Sequence, residues 1–377
     1  MTDIALSSVT DWAEPGKRWR ELEARANCSF FQSWTWTGCL AEERFPDPVL
    51  LQAEREGTIV ALALFNRRRG RSGRETLWLG ESGTPALDSA FIEHNGLLRD
   101  VAAPGSLLGD CVNVMLTAPI GRHRGYGRCI VLSGIDDATL LALQAGGHRP
   151  WVHRSLAAPY VDLTSLRGNG RNYLDVLSAN SRYQLRRSDR AYEALGGLVV
   201  QRAKTKAEAH EFLKILAGLH QATWIRRGKP GAFANPLFVR FHHELIERGM
   251  PRGEIELLRI TAGEQVVGLL YNYRFHNDVL AYQSGFDYDL AGRHGKPGLT
   301  CHHLAIERAI ADGMDRYDFL AGEDRYKRSL ANAETVLHWV EVGAGVSMRR
   351  HAAGFRDWLR GMRANDRGRE GALSENV

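Results

Sequence analysis

Residues 279–327 read VLAYQSGFDYDLAGRHGKPGLTCHHLAIERAIADGMDRYDFLAGEDRYK, and this stretch decides the fold. A strand enters a Gly-rich basic loop. The loop opens a helix over about 298–312, the strand RYDFLAG follows, and the stretch closes on Glu323-Asp324-Arg325-Tyr326-Lys327. Gly292, Gly295 and Gly298 permit close backbone approach. Pro297 suits the first helical position, where no N–H is needed. Arg293, His294 and Lys296 add donors. Free N–H groups and the positive end of a helix meet there, so the stretch predicts an anionic, phosphate-bearing ligand. A strand–helix turn with surface charges is the plainer reading of the same residues.

Upstream lie two more strand patterns, EIELLRIT (254–261) and QVVGLLYNYRF (265–275). The turns 262–264 and 276–278 are short, which forces antiparallel pairing with the strand at 279. Further back, 173–197 reads as a helix stopped by Gly196-Gly197, and LVVQRA as a strand. Thr205 and Glu208 form a capping box for a helix to about Arg226, and a helix over 236–248 ends at Gly249. Downstream, TVLHWVEVG is a strand.

The first half mixes helices (17–26 and 33–44, with Ser33 as N-cap) and strands (VLLQAE, TIVALALFNRRR, TLWLG). LAAPYVDL (156–163) is extended, and SLRGNGRN (165–172) carries the turn residues of a boundary. The pattern predicts domains over 1–164 and 165–345, then a basic amphipathic helix and polar tail over 346–377. It excludes a Rossmann unit, since no G-x-G-x-x-G follows a first strand. It excludes a Walker loop for want of G-x-x-x-x-G-K-[ST].

The chain has 377 residues, 44% hydrophobic and 25% charged, as expected of a two-domain globular protein. No basic head precedes an apolar run at the N-terminus, and no stretch approaches the roughly 20 apolar residues of a membrane span. Five scattered Cys without C-x-x-C spacing point to a reducing, cytoplasmic setting with neither a disulfide frame nor a metal site. The net charge is +5 and Arg outnumbers Lys. That excess reflects codon usage or phosphate-binding Arg; basicity alone, without a recognised module, does not make a nucleic-acid binder.

The order of elements resembles the GNAT acyltransferase core. SRYQLRR, WIRRGKPGAF, the Pro297-Gly298 helix start, YDFLAGE and Tyr326-Lys327 together resemble the FemAB-like GNAT proteins of cellulose and exopolysaccharide synthesis, the CelD/BcsL type. The resemblance covers about 155–345. FQSWTW, near the start, resembles that family's divergent first domain. It implies an α+β fold of tandem GNAT-like (FemAB-like) domains, each a mixed, mostly antiparallel sheet flanked by helices. It implies acetyl-CoA or another acyl-CoA as co-substrate, no metal, and a small-molecule or glycan-precursor acceptor: an amino sugar, amino acid or polysaccharide precursor. As in other FemAB-like proteins, aminoacyl-tRNA is the alternative donor; a degenerate, non-catalytic pair in a polysaccharide-synthesis assembly is a third reading. In the family's [QR]-x-x-G-x-[GA] signature Arg293 and Gly298 fill the first and last positions, while Lys296 replaces the middle Gly. Arg122–Gly127 matches the signature literally, but the strand RCIVLSG follows it, so it lacks a helix end to attract an anion.

Direct attack of an amine on a thioester needs a donor for the developing oxyanion, a base for the ammonium and a proton for the thiolate. By position in the family, backbone N–H groups at Gly285 and Phe286 are the cofactor and oxyanion candidates; a plain strand containing a Gly is the alternative. Glu323 is the expected base and Asp318 the second candidate. Tyr326 is the thiolate acid. Lys327 is expected to hold an anionic group of the acceptor. Cys301-His302-His303 cannot converge, because consecutive helical residues point about 100° apart. Arg182, Arg186, Arg187 and Arg190 form one basic helix face, for an anion or for solvent. Trp224, with Arg226, Arg227 and Lys229, suits a lid or stacking platform for the acceptor. Glu93, His94 and Asn95, ahead of Gly96, make a turn that is expected to line a cleft between the domains.

Overall fold

The structure, a computed structural model, describes residues 2–70, 73–88, 90–120, 127–322 and 324–343. The expected C-terminal helix and tail (346–377), Glu323, and all but the last residue of the loop 122–127 lie outside the described residues.

The fold is α+β around one sheet of 13 strands. In chain order these are β1 (Thr2–Ser8), β2 (Pro48–Arg55), β3 (Thr58–Arg69), β4 (Glu75–Leu79), β5 (Leu98–Arg99), β6 (Cys129–Asp136) and β7 (Trp151–Asp162). They continue as β8 (Leu198–Arg202), β9 (Ile255–Ala262), β10 (Gln265–Phe275), β11 (Asp278–Phe286), β12 (Arg316–Asp318) and β13 (Ala333–Gly343). The spatial order is β1-β2-β3-β4-β6-β13-β7-β12-β11-β10-β9-β8, with β5 pairing aside on β3.

Two described pairs are parallel, β4 with β6 and β11 with β12. A parallel pair needs a crossover, and each has a helix in it. Helix α3 (Leu107–Thr117) lies between β4 and β6; α10 (Pro297–Ala311) lies between β11 and β12. Each half thus repeats one order: three antiparallel strands, a crossover helix, a parallel strand. The other helices that matter are α1 (Ala13–Glu23), α2 (Trp34–Arg44), α4 (Asp137–Ala145), α5 (Leu163–Gly168), α6 (Tyr173–Val176), α7 (Ala179–Glu193), α8 (Lys206–Arg226), α9 (Pro236–Gly249) and α11 (Arg325–Leu330).

The sheet does not break where the sequence changes character. β7, from the first half, pairs with β12 and with β13; β13, from the second half, lies between β6 and β7. The turn expected over 165–172 is instead opened by the short helix α5. Asp162 caps it, accepting from the Ser165 N–H at 3.0 Å, and Leu163 and Leu166 bury in the second-half core.

The core also crosses the seam. Ser33 caps α2 by accepting from the Trp36 N–H at 3.1 Å. That sets Phe30, Phe31 and Trp36 against Phe241, Tyr271 and Tyr273, with Phe30 stacked on Tyr273 at 4.2 Å and Trp36 edge-on to Phe241 at 4.9 Å. Each such fully buried ring contributes about 1.5–3 kcal/mol. FQSWTW is therefore the rivet between the halves.

Candidate active site

β11 pairs with β12 at Asp278, Val279 and Leu280 and no further. The strand RYDFLAG was expected to run to 322 but ends at Asp318. Leu320 takes a left-handed φ of 62°, held by its N–H on Asp318 Oδ1 at 2.7 Å, and the Phe319 N–H goes to Pro159. The chain turns away, and from Ala281 onward the edge of β11 faces a cavity of about 210 Å³. His220 and Trp224 of α8, with Arg227 at its C-cap, form one wall, His302 of α10 another, and Tyr326 and Lys327 of α11 a third.

Two of these walls, Trp224 with Arg227 and Tyr326 with Lys327, were expected at a site and are brought together here. Trp224 donates its indole N–H to His220 Nε2 at 2.8 Å, with Arg227 and Lys229 each 5.7 Å from its ring. Burial brings His220 down to about 4, so it is the neutral acceptor this bond requires. Tyr326 stacks on His302 at 5.6 Å, and burial, with the nearby Lys327 charge, brings His302 down to about 3. The Lys327 ammonium donates to the carbonyls of Ala321 at 3.0 Å and Leu320 at 3.3 Å. Cys301 is buried and His303 turns to Asp189 at 3.0 Å, so the three consecutive residues diverge as their spacing required.

Gly285 and Phe286 have packing duties. A Cβ on Gly285 would lie 2.3 Å from the Leu216 carbonyl oxygen of α8, so only glycine lets α8 close the cavity. Phe286 lines the cavity and lies 3.4 Å from the position a Gly298 Cβ would take.

The Gly-rich loop leads into α10 as expected, through a single turn at Gly292–His294. Lys296 stands at the N-cap and gives its N–H to Ser188 Oγ at 2.9 Å. Leu299 and Thr300 fold back on the Lys296 carbonyl. Arg293 and Lys296 point to solvent, while Arg187 donates to His294 Nε2 at 2.9 Å. That contact sets the basic face of α7 beside the loop. Asp189, bound to the Thr300 hydroxyl at 2.7 Å, puts a carboxylate at the same helix start and offsets part of the positive field.

Residues 179–328 match the acetyltransferase (GNAT) domain family. The GNAT match spans α7 to α11, the segment that walls the cavity. Over the whole chain the fold is similar to that of FemX, with a TM-score of 0.59 at 10% identity over 86% of this chain and 95% of that one. It is also similar to the C-terminal domain of a putative lysylphosphatidylglycerol synthetase from Agrobacterium fabrum, with a TM-score of 0.55 at 13% identity over 93% and 96%. A protein of unknown function from Bacteroides thetaiotaomicron aligns at 0.50 with 9% identity over 90% and 99%. A search of curated protein sequences finds no match.

A larger cavity, about 400 Å³, lies at the seam between the first half and the GNAT half. His94, Asn95, Arg316 and Asp318 line it. Asp318 is fully buried, with Oδ2 at 3.1 Å from His94 Nε2 and 2.8 Å from Arg316 Nη2. Burial would raise its carboxyl, but His94 and Arg316 outweigh that and hold it low. The structure places Asp318, the second base candidate, in an ion pair lining the seam cavity, with its Oδ1 capping the turn at Leu320, and not among the residues lining the GNAT cavity.

The loop after β4 carries the other seam groups. Asn95 donates to Leu79 O at 3.1 Å through Nδ2 and to Gly134 O at 3.0 Å through its backbone. Gly134, at φ 68°, leaves room for Ile92 and Glu93, which a Cβ there would meet at 2.7–2.8 Å. Residues 92–95 thereby fill the gap between β4 and β6. His94 has a left-handed φ of 46°, and the chain sends its neighbours to different targets. Its own ring meets Asp318; Glu93 accepts the Ala321 N–H at 2.5 Å.

Sequence reasoning missed His220 and Tyr282 in the cavity wall. The i,i+4 spacing of His220 and Trp224 on one helix was an available signal. Tyr282 had none, since an aromatic at a mid-strand position reads as core. Among the described residues, no helix is long and apolar enough to cross a membrane.

Proposed function

We propose that the chain is an acyl-CoA-dependent N-acyltransferase, transferring an acyl group to an amine of an amino sugar, amino acid or polysaccharide precursor. One observation carries the reading. Within the segment that matches the GNAT domain, the unpaired edge of β11 faces a walled cavity, and a Gly-rich basic loop follows β11 directly into α10. The thioester lies along that edge, where strand N–H groups meet the oxygen as it gains charge. The pyrophosphate sits against the start of α10, with the exposed Arg293 and Lys296 as counter-charges. The acceptor amine enters between Trp224 and Lys327, whose ammonium takes an anionic group of the acceptor. Tyr326 stands at the cavity to return a proton to the thiolate. Glu323 adjoins the cavity wall residue Asp324 in sequence and keeps its proposed place as base.

A second reading replaces acyl-CoA by an aminoacyl donor. The similarity to the putative lysylphosphatidylglycerol synthetase domain supports it, as does the basic face of α7 beside the loop.

Calorimetry with acetyl-CoA, longer acyl-CoAs and tRNA, on wild type and on Arg293→Ala/Lys296→Ala, separates the readings. The first expects acyl-CoA binding that the double variant weakens by about tenfold or more, about 1.4 kcal/mol. Binding of tRNA without acyl-CoA installs the second. Binding of neither removes both.

A further inference from the structure

Glu93 belongs to the half outside the GNAT match, yet its carboxylate reaches the Ala321 turn that holds the cavity lysine Lys327. It is buried, 9% exposed, and accepts the Ala321 N–H at 2.5 Å. The carbonyl of that same Ala321 accepts from Lys327 Nζ at 3.0 Å. One peptide unit is thus gripped on its N–H by the first half and on its neighbouring carbonyl by the cavity lysine. Gly322, at φ 148°, follows it; a Cβ there would lie 3.1 Å from Lys327 Nζ. A side chain at Gly322 would crowd the ammonium.

We propose that Glu93 is a positioning residue for Lys327: across the seam, the first half supplies the carboxylate that fixes the Leu320–Ala321 turn and is the counter-charge of the cavity ammonium. The proposal rests on the transferase reading only for what Lys327 is used for.

The electrostatics around the pair agree. Burial pushes the Lys327 ammonium toward losing its proton, and Glu93, then Asp318, oppose this. Burial pushes the Glu93 carboxyl up, and Lys327, the Ala321 N–H and His94 oppose that. The other groups facing the pair hold their charge elsewhere or carry none. Asp318 is paired with His94 and Arg316. His302 of α10 and His220 of α8 are neutral through burial. Burial also pushes up Tyr282 of β11 and Tyr326 of α11 as phenols. Asp324 and Arg227 also line the cavity. Two carboxylates contact the lysine's own turn: Asp318 takes the Leu320 N–H at 2.7 Å and is neutralised by His94 and Arg316, while Glu93 takes the Ala321 N–H.

The test reads Lys327 directly and needs no substrate. The folded chain is pulsed with a neutral amine-acylating reagent at a series of pH values, and the Lys327 peptide is quantified by mass spectrometry, with Lys327→Arg as the blank. Glu93→Gln removes the counter-charge, so the labelling midpoint falls by about one pH unit or more. Glu93→Asp keeps the charge one methylene short. Its midpoint stays near wild type while hydrogen exchange of the Ala321 amide accelerates about tenfold or more. Equal midpoints in wild type and Glu93→Gln overturn the proposal, as does an Ala321 amide equally protected in Glu93→Asp. Should Glu93→Gln not fold, the Glu93→Asp exchange result decides alone. A failure of acyl-CoA binding leaves these outcomes untouched, so the two readings fail separately.

Discussion

The sheet parts twice, and the two partings are used differently. β4 leaves β6 after the pairs at Thr76, Leu77 and Trp78; β11 leaves β12 after Asp278, Val279 and Leu280. In the first half the gap is filled by the chain itself, Ile92–Asn95 hydrogen-bonded to Leu79 and Gly134. In the second half it stays open as the 210 Å³ cavity. The difference lies in the connection. Between β11 and α10 the chain has the short Gly-rich loop, which goes straight into the helix. Between β4 and α3 it has residues 80–106, enough to fold back into the gap. A loop long enough to plug its own cleft turns a binding site into a brace, and the brace here reaches the other site through Glu93 and His94.

Three substitutions break or sharpen this contrast. The largest effect is expected from Gly285→Ala. The new methyl meets the Leu216 backbone oxygen at 2.3 Å, so α8 must lift from β11 and carry His220 and Trp224 with it. Transferase turnover should fall by about a hundredfold or more, since misplacing a positioning wall by about 1 Å has that order of cost. Turnover within about twofold of wild type would show that the open parting is not where the reaction occurs.

Gly134→Ala is its first-half counterpart. It adds strain at φ 68° and a clash with Ile92 and Glu93. We expect about 2–4 kcal/mol lost in denaturant unfolding, with turnover reduced because Glu93 is displaced. Full turnover in a destabilised variant would show that the plug braces the fold without serving the site.

The smallest effect is a pH dependence in the plugged gap. Burial, with the neighbouring Asp88 charge, pushes the Glu81 carboxyl up to about 8, and it takes the Ser133 hydroxyl at 2.6 Å. The folded state therefore holds this proton at pH values where the unfolded chain, near 4.5, has released it. Stability falls as pH rises from about 4.5 to about 8. Glu81→Gln should be more stable than wild type at pH 9, on the order of 2 kcal/mol, with the gain vanishing near pH 4. A gain that persists at pH 4 would assign it to packing.

Local chemistry explains what was legible. The three strands before the loop, the helix at Pro297 and the caps at Ser33 and Thr205 depend on neighbours in sequence, and each stands where its residues put it. Trp224 was placed at a site by the cations beside it, Tyr326 and Lys327 by the family resemblance, and all three line one cavity. What depended on distant pairing was not legible. No pattern in TVLHWVEVG names β6 and β7 as its partners, and none in Glu93 names Ala321, 228 positions away. The end of β12 was missed because Leu320, a residue that rarely takes positive φ, is forced there by the Asp318 carboxylate.

The exchange of β7 and β13 has a consequence for the order of events at synthesis. β6 finds β13 as its far-side partner, and β13 is made some two hundred residues later. A nascent chain that has emerged only through the first half displays β6 with one unpaired edge and β7 with two, which is where strands of neighbouring chains add. The first half cannot seal itself by folding early; it waits for residues 333–343 to leave the ribosome. A chain halted before Ala333 is therefore the form of this protein most prone to aggregate, and a holdase that covers β6 and β7 would serve it until that strand arrives.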